Sequence, residues 1–239
     1  MKTILVPIDF SATAKNSSVY AVHIAQELGA AKLVLYNAYS MPLATEMSWA
    51  VLQTEELQKA SEEGLARFRE ELLPLAGEGI AIELVSDFGF LMDRIDEVAH
   101  QVQADLIVMG ITGGGKLEEV LMGSNTTHVV HHTDVPVLIV PPDAQWRDVQ
   151  VVGWACDYKD VLKTTPSVQI TDIITELKAK LVVVHNNPDP LAFDPELFHN
   201  NVMVAELFKK LQPEFDPAGK EDFLEATQAC VEKHRVDML

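Results

Sequence analysis

The stretch GITGGGKLEEVLMGS at 110–124 concentrates residue types that hold phosphate. Gly110, Gly115 and Lys116 sit as in the phosphate loop G-x-x-x-x-G-K-[ST], but Leu117 stands where a hydroxyl would hold magnesium. A phosphate loop also follows the first strand of its domain, as does the dinucleotide loop G-x-G-x-x-G, and the corresponding segment here, PIDFSATA at 7–14, contains no glycine. A second spacing fits better: Gly110, then Gly113 after two residues, then Gly123-Ser124 after nine more. Gly113 to Gly115 permit positive φ, so that successive N–H groups can converge on an anion. Gly123-Ser124 opens a helix, whose free N–H groups and dipole favour a phosphate. The stretch therefore reads as a nucleotide loop or as a glycine-rich architectural turn. Lys116 is accounted for either as a phosphate contact or as a solvated loop lysine.

The flanking sequence supplies the elements that would position this loop. Residues 3–8 (TILVPI) form an apolar strand ending at Asp9, and Ser11 or Thr13 can cap a helix carrying Val19, Val22, Ala25 and Leu28 up to Gly29. Strands follow at 32–38, 80–86, 105–109 and 136–140, separated by helical patterns at 48–73 (ended by Pro74), 92–103 and from Ser124 onward. Strands that are apolar throughout and alternate with helices predict a doubly wound, parallel five-stranded α/β sheet of order 3-2-1-4-5 over residues 1–142. In that order strands one and four adjoin at the switch point, where ligands bind beyond the carboxyl ends of the strands. Asp9 and Gly110 should then face one crevice, the carboxylate to accept ribose hydroxyls and the loop to hold phosphates.

The segment PPDAQWRD at 141–148 reads as a linker, after which the pattern repeats. VQVVGWAC at 149–156 ends in Asp157-Tyr158 as the first strand ends in Asp9-Phe10, and LVVVHN at 181–186 parallels LVLYNA at 33–38. Helices are expected at 168–178, 196–211 and from 223. Residues 149–239 thus read as an incomplete second copy that reaches only the start of its fourth strand and has no glycine loop. No nucleotide site is expected there.

At this point the sequence resembles the universal stress protein family: V-P-x-D at the end of the first strand, G-x2-G-x9-G-S after the fourth, and VPVLIV at 135–140 as the last. The full pattern covers residues 1–142 and a partial one covers 149–239, so the chain is similar to the tandem form. The resemblance implies the ATP-binding subclass, with Pro7, Ile8 and Asp9 along adenine and ribose and Ala38 against adenine. Met109, Gly110, Gly113, Gly123, Ser124 and Asn125 would hold ribose and phosphates, with ATP accompanied by Mg2+. It also implies pairing through Val135–Val140, either in a homodimer or between the two units, and a regulatory protein partner.

Bulk composition narrows the classes. Net charge is −18, from 36 acidic and 18 basic residues, which excludes a phosphate-backbone reader of nucleic acid. The N-terminal apolar run is interrupted at Pro7 and Asp9, too early for a signal peptide, and no stretch is long enough to span a membrane, so a cytoplasmic location is expected. Cys156 and Cys230 stand far apart without a C-x-x-C partner, which argues against a disulfide scaffold or cysteine zinc site, and Cys156 at a strand end reads as a buried small residue. His128, His131 and His132 have metal-ligand spacing but no fourth ligand nearby in sequence, and the Glu-rich helix at 55–71 reads as a solvated face. No Ser/His/Asp set or carboxylate dyad points to vigorous catalysis. The reading is an ATP-binding regulatory stress-response protein with little or no turnover. A slow ATP hydrolase or other ATP-using enzyme, and a nucleotide-free structural module, remain as alternatives.

Overall fold

A computed structural model describes residues 2–41, 50–111, 124–156, 158, 160–186, 195–218 and 223–239. They form two compact units, Met1–Trp146 and Arg147–Leu239.

The first unit holds β1 (Thr3–Pro7), α1 (Ala12–Glu27), β2 (Lys32–Tyr39), α2 (Ala50–Ala76), β3 (Ala81–Phe88), α3 (Leu91–Gln101), β4 (Leu106–Gly110), α4 (Ser124–His132) and β5 (Val137–Val140). The five strands form one parallel sheet of order β3-β2-β1-β4-β5, as the sequence predicts. β1 lies at its centre with every residue buried, which is why TILVP needs no polar alternation. One face of the sheet is filled by Leu5, Val34, Tyr36, Ile107 and Met109 packing on Ile95, Val98, Ala99 and Val129 from α3 and α4.

Ser11 is the cap of α1, its hydroxyl accepting the Ala14 N–H at 3.1 Å. The buried face of α1 is built of small residues, and Ser17 and Ser18 return their hydroxyl protons to the Ala14 carbonyl at 3.0 and 2.6 Å. A polar pair can thus be buried on the helix without an orphaned donor. α2 runs past Pro74 to Ala76 rather than stopping before it. The proline removes one N–H from the last turn, and the short 3-10 turn at Gly77–Gly79 ends the element instead.

Residues 141–146 do not behave as a free linker. Asn16 Nδ2 donates to the carbonyls of Pro141 (3.2 Å) and Ala144 (3.1 Å). The Trp146 ring meets Tyr20 edge-on at 5.0 Å and stacks on His23 at 5.6 Å. This tail covers the outer side of α1 and belongs to the first unit.

The second unit contains β6 (Val151–Ala155), α5 (Val161–Thr164), α6 (Ser167–Leu177), β7 (Lys180–Asn186), α7 (Pro195–Leu207), β8 (Glu214–Ala218) and α8 (Phe223–His234). Its strands form a parallel sheet of order β6-β7-β8. β8 was not expected from sequence: EFDPA has no apolar run, and its Pro217 is tolerated because β8 pairs only with β7 among the described residues.

The two units share details beyond topology. Asp105 accepts the N–H groups of Lys2 (2.7 Å) and Thr3 (3.0 Å), while Asp237 accepts those of Gln150 (2.9 Å) and Val151 (3.0 Å). Each aspartate fixes the entry of its unit's first strand against the start of the fourth, marked in the second unit by the parallel bridge Val152–Met238. Phe10 and Tyr158, just past those strands, both adopt left-handed backbone (φ 63° and 60°). Replacing Asp105 by Ala is expected to cost about 1–2 kcal/mol for the two lost bonds. Hydrogen exchange should show faster exchange at the Lys2 and Thr3 amides, with Gln150 and Val151 unchanged.

Candidate functional site

β1, β2 and β4 end on one side of the sheet, and a cavity of about 410 Å³ opens there. Its walls are the β1–α1 turn, the end of β2, the β3–α3 turn and the first turn of α4. Of the residues singled out in the sequence, Pro7, Ile8, Asp9, Ala38, Met109, Gly110 and Asn125 all line it. Gly113, Gly123 and the rest of the loop from Thr112 to Gly123 lie outside the described residues, as does Asp157 of the second unit. Ser124 opens α4, although its side chain is not described.

The position of Asp9 follows from how β1 ends. Ile8 donates its N–H to the Tyr36 carbonyl at 2.7 Å, and its own carbonyl accepts from Asn37 Nδ2 at 2.6 Å. Asp9 then turns out of the sheet, one carboxylate oxygen taking the Ser11 N–H at 3.0 Å. Among the described residues its other oxygen has no partner, and the residue is exposed at the cavity. Phe10 completes the turn, its ring 40% exposed and edge-on to Phe68 at 5.7 Å. A Cβ on Gly64 of α2 would lie 2.6 Å from that ring, so this glycine gives the aromatic its seat.

Gly110 has a structural reason that its sequence context did not reveal. A Cβ there would meet the Thr13 carbonyl oxygen at 2.9 Å and its methyl at 2.6 Å. Its smallness admits the first turn of α1 against the end of β4, bringing both walls of the crevice together.

Sequence reasoning missed the polar network beneath the cavity. Buried Asn37 also accepts from Ser61 Oγ at 2.7 Å, and Ser61 Oγ lies 2.7 Å from Ser86 Oγ. One amide therefore joins β1, β2, α2 and β3. The available signal was a polar residue within the otherwise apolar run LVLYNA.

A second missed group anchors the opposite wall. Arg94 Nε donates to Asp87 Oδ2 at 2.8 Å, its other arm pairs with Glu97, and Tyr36 Oη reaches the same Asp87 oxygen at 3.4 Å. Burial, with Asp87 alongside, pushes the Tyr36 hydroxyl well above the usual phenol range, so it remains a donor. This fixes the β3–α3 turn, where Gly89 has φ 149° and Phe90, Leu91 and Met92 face the cavity.

At α4, His128 Nε2 lies 3.1 Å from the Met92 carbonyl and its ring stacks on His132 at 3.9 Å. This histidine ties α4 to α3. Among the described residues no metal-ligand group includes His128, His131 or His132. Asn125 and Thr126 of the first turn of α4 line the cavity, and that turn holds no acidic residue.

The matching end of β6 is arranged differently. Cys156 donates its N–H to Val184 at 3.0 Å, and His185 Nδ1 lies 3.3 Å from its carbonyl, taking the place of Asn37. Tyr158 turns inward, stacks on His185 at 4.1 Å and hydrogen-bonds through its hydroxyl to Asn201. Tyr158 thus stacks on the residue that stands where Asn37 stands in the first unit, whereas Phe10 packs on Phe68 and Gly64 of α2.

Substituting Asn37 by Ala would leave the Ile8 carbonyl and the Ser61 hydroxyl without this partner. The expected cost is about 1–3 kcal/mol for the buried Ile8 carbonyl, while Ser61 keeps Ser86 as a partner. Urea unfolding should show this as a lower midpoint, with little change in slope.

Comparison with known proteins places this geometry in context. A universal stress protein of Methanocaldococcus jannaschii is 33% identical over 143 residues, covering 58% of this chain and 81% of its own. Among solved structures, a universal stress protein in complex with cAMP is 26% identical over 58% of this chain and 96% of its own, with a TM-score of 0.45. A universal stress protein of Archaeoglobus fulgidus extends the likeness in fold to 98% of this chain and 84% of its own, at 14% identity and a TM-score of 0.68. The family model described as Universal stress protein family matches residues 1–141. With that match spanning more than half of the sequence, the chain belongs to the universal stress protein family.

Proposed function

We propose that the first unit, residues 1–142, binds ATP with Mg2+ and acts as a nucleotide-dependent regulatory module with little or no turnover. The observation that carries this reading is the placement of two complementary groups across one cavity. Asp9 offers an oxygen unpartnered among the described residues, and the first turn of α4, which lines the same cavity through Asn125 and Thr126, holds no acidic residue. A carboxylate suits ribose hydroxyls, and a helix N-terminus suits phosphate. The volume of about 410 Å³ falls within the range of roughly 300–1,000 Å³ usual for small-ligand sites.

In this reading adenine lies along Pro7, Ile8 and Ala38, and ribose lies at Asp9 and Met109. The phosphates follow Gly110, Gly113, Gly123, Ser124 and Asn125. A net charge of −18 repels a polyphosphate, so backbone donors and the metal must offset that field. Residues 149–239 are read as a second, related domain for which no nucleotide site is proposed. The Tyr158–His185 stack at the end of β6, with a ring where the first unit has the Asn37 amide, supports this. β5 has only β4 as a strand neighbour among the described residues, which supports a pairing role for Val135–Val140, between copies or between units. ATP occupancy would then bias that pairing or a protein partner.

Calorimetric titration of Mg-ATP should give about one site per chain, abolished by Gly123→Trp. Asp9→Ala should weaken binding by roughly 10- to 100-fold, the worth of a charge-assisted hydrogen bond. The nucleotide should be recovered intact after incubation. Repeated turnover would favour the enzyme reading, tighter binding of cAMP would change the ligand, and absence of any nucleotide binding would leave a structural module.

A further inference from the structure

Among the described residues, the second unit contains a trio of metal-ligating side chains outside the nucleotide cavity. Asp216 on β8 and Cys230 and His234 on α8 bring one ligand atom each to within 4.8 Å of one another. Cys230 and His234 are four residues apart and share one face of α8. Asp216 and Cys230 are buried, and the His234 side chain is 13% exposed. We propose that these three side chains form a zinc-binding site, with water as fourth ligand, that fastens α8 to the edge strand β8.

The donor set is one that zinc accepts: a thiolate, an imidazole and a carboxylate. The outer contacts suit the same ion. His234 directs Nε2 at Asp216 (2.6 Å), while its Nδ1 lies 3.7 Å from Glu214 Oε1. A carboxylate behind the second ring nitrogen is the usual means of fixing a ligating histidine's tautomer and orientation. In this arrangement Lys233 Nζ bonds both Asp216 oxygens, at 3.1 and 3.0 Å, and holds the place that a cation would take. Its side chain is 64% exposed and can withdraw to solvent. Bonds of about 2.0 Å to nitrogen and oxygen and about 2.3 Å to sulfur separate tetrahedral ligand atoms by roughly 3.3–3.6 Å. The Asp216–His234 pair, at 2.6 Å, must therefore open slightly. Binding releases the thiol proton to solvent and makes one S–Zn bond, with no change of oxidation state.

β8 gives the site a purpose. It is a proline-containing edge strand, and α8 is the helix packed against it. A shared ion would hold the two together.

The test uses the full chain, stripped with a chelator and titrated with Co2+ as a spectroscopic substitute for Zn2+. One equivalent should produce tetrahedral d–d bands and a thiolate-to-cobalt charge-transfer band, both removed by added Zn2+. Cys230→Ala should abolish the charge-transfer band and Cys156→Ala should preserve it. Glu214→Gln should weaken affinity by about 10- to 100-fold, and Lys233→Met should strengthen it. Should Cys230→Ala not fold, the stripped wild-type chain decides, since Zn2+ must raise its melting temperature and the chelator must reverse the rise. No thiolate band at saturating Co2+, or a band unaffected by loss of Cys230, would overturn the proposal and leave an ion-pair cluster around Asp216. Asp9→Ala should leave cobalt binding unchanged, which separates this result from the nucleotide reading.

Discussion

The end of β1 is gripped by β2 at both backbone polar groups of Ile8. Ile8 gives its N–H to Tyr36 and receives the Asn37 amide on its carbonyl, so the chain leaves the sheet at a fixed point and in a fixed direction. The Asp9 turn, the left-handed Phe10 and the cap of α1 at Ser11 follow directly from that exit. Because Asn37 also holds Ser61, and through it Ser86, the same amide ties the exit to α2 and β3. A buried network of this kind is rigid only while each member is satisfied, and one side chain here satisfies groups from separate elements.

Much of this was legible in the sequence. Apolar runs bounded by glycine, proline and aspartate gave the strands of the first unit and their parallel arrangement, because strands buried on both faces need no alternation. Asp9 and Gly110 could be brought to one crevice from sheet order alone. What sequence could not show were contacts made by side chains far apart along the chain. Asn37 with Ser61, and Tyr36 with Asp87 and Arg94, depend on sheet register and helix rotation rather than on local pattern. Gly110 was noticed for a sound reason, yet the neighbour that leaves no room for a side chain there is Thr13. β8 was missed because a short edge strand containing Asp and Pro has none of the composition that marks a strand.

The second unit repeats the framework and changes its end. The aspartate clamp, the left-handed residue after the first strand and the grip on the last strand residue all recur. His185 stands where Asn37 would be, and an imidazole offers Tyr158 a face on which to stack. One exchange of an amide for a ring is thus accompanied by an aromatic stack at the strand end.

The packing of Trp146 on α1 has a practical consequence for fragment design. The fifth strand ends at Val140, and the prolines after it invite a cut there. A fragment cut at that point would keep the whole sheet yet lose the indole over Tyr20 and His23 and the carbonyls of Pro141 and Ala144 that Asn16 holds. Its newly bared aromatic strip would invite self-association that the parent chain does not share. Recombinant versions of the first unit are better ended after Trp146, so that oligomer sizes measured on them report on native surfaces rather than on the cut.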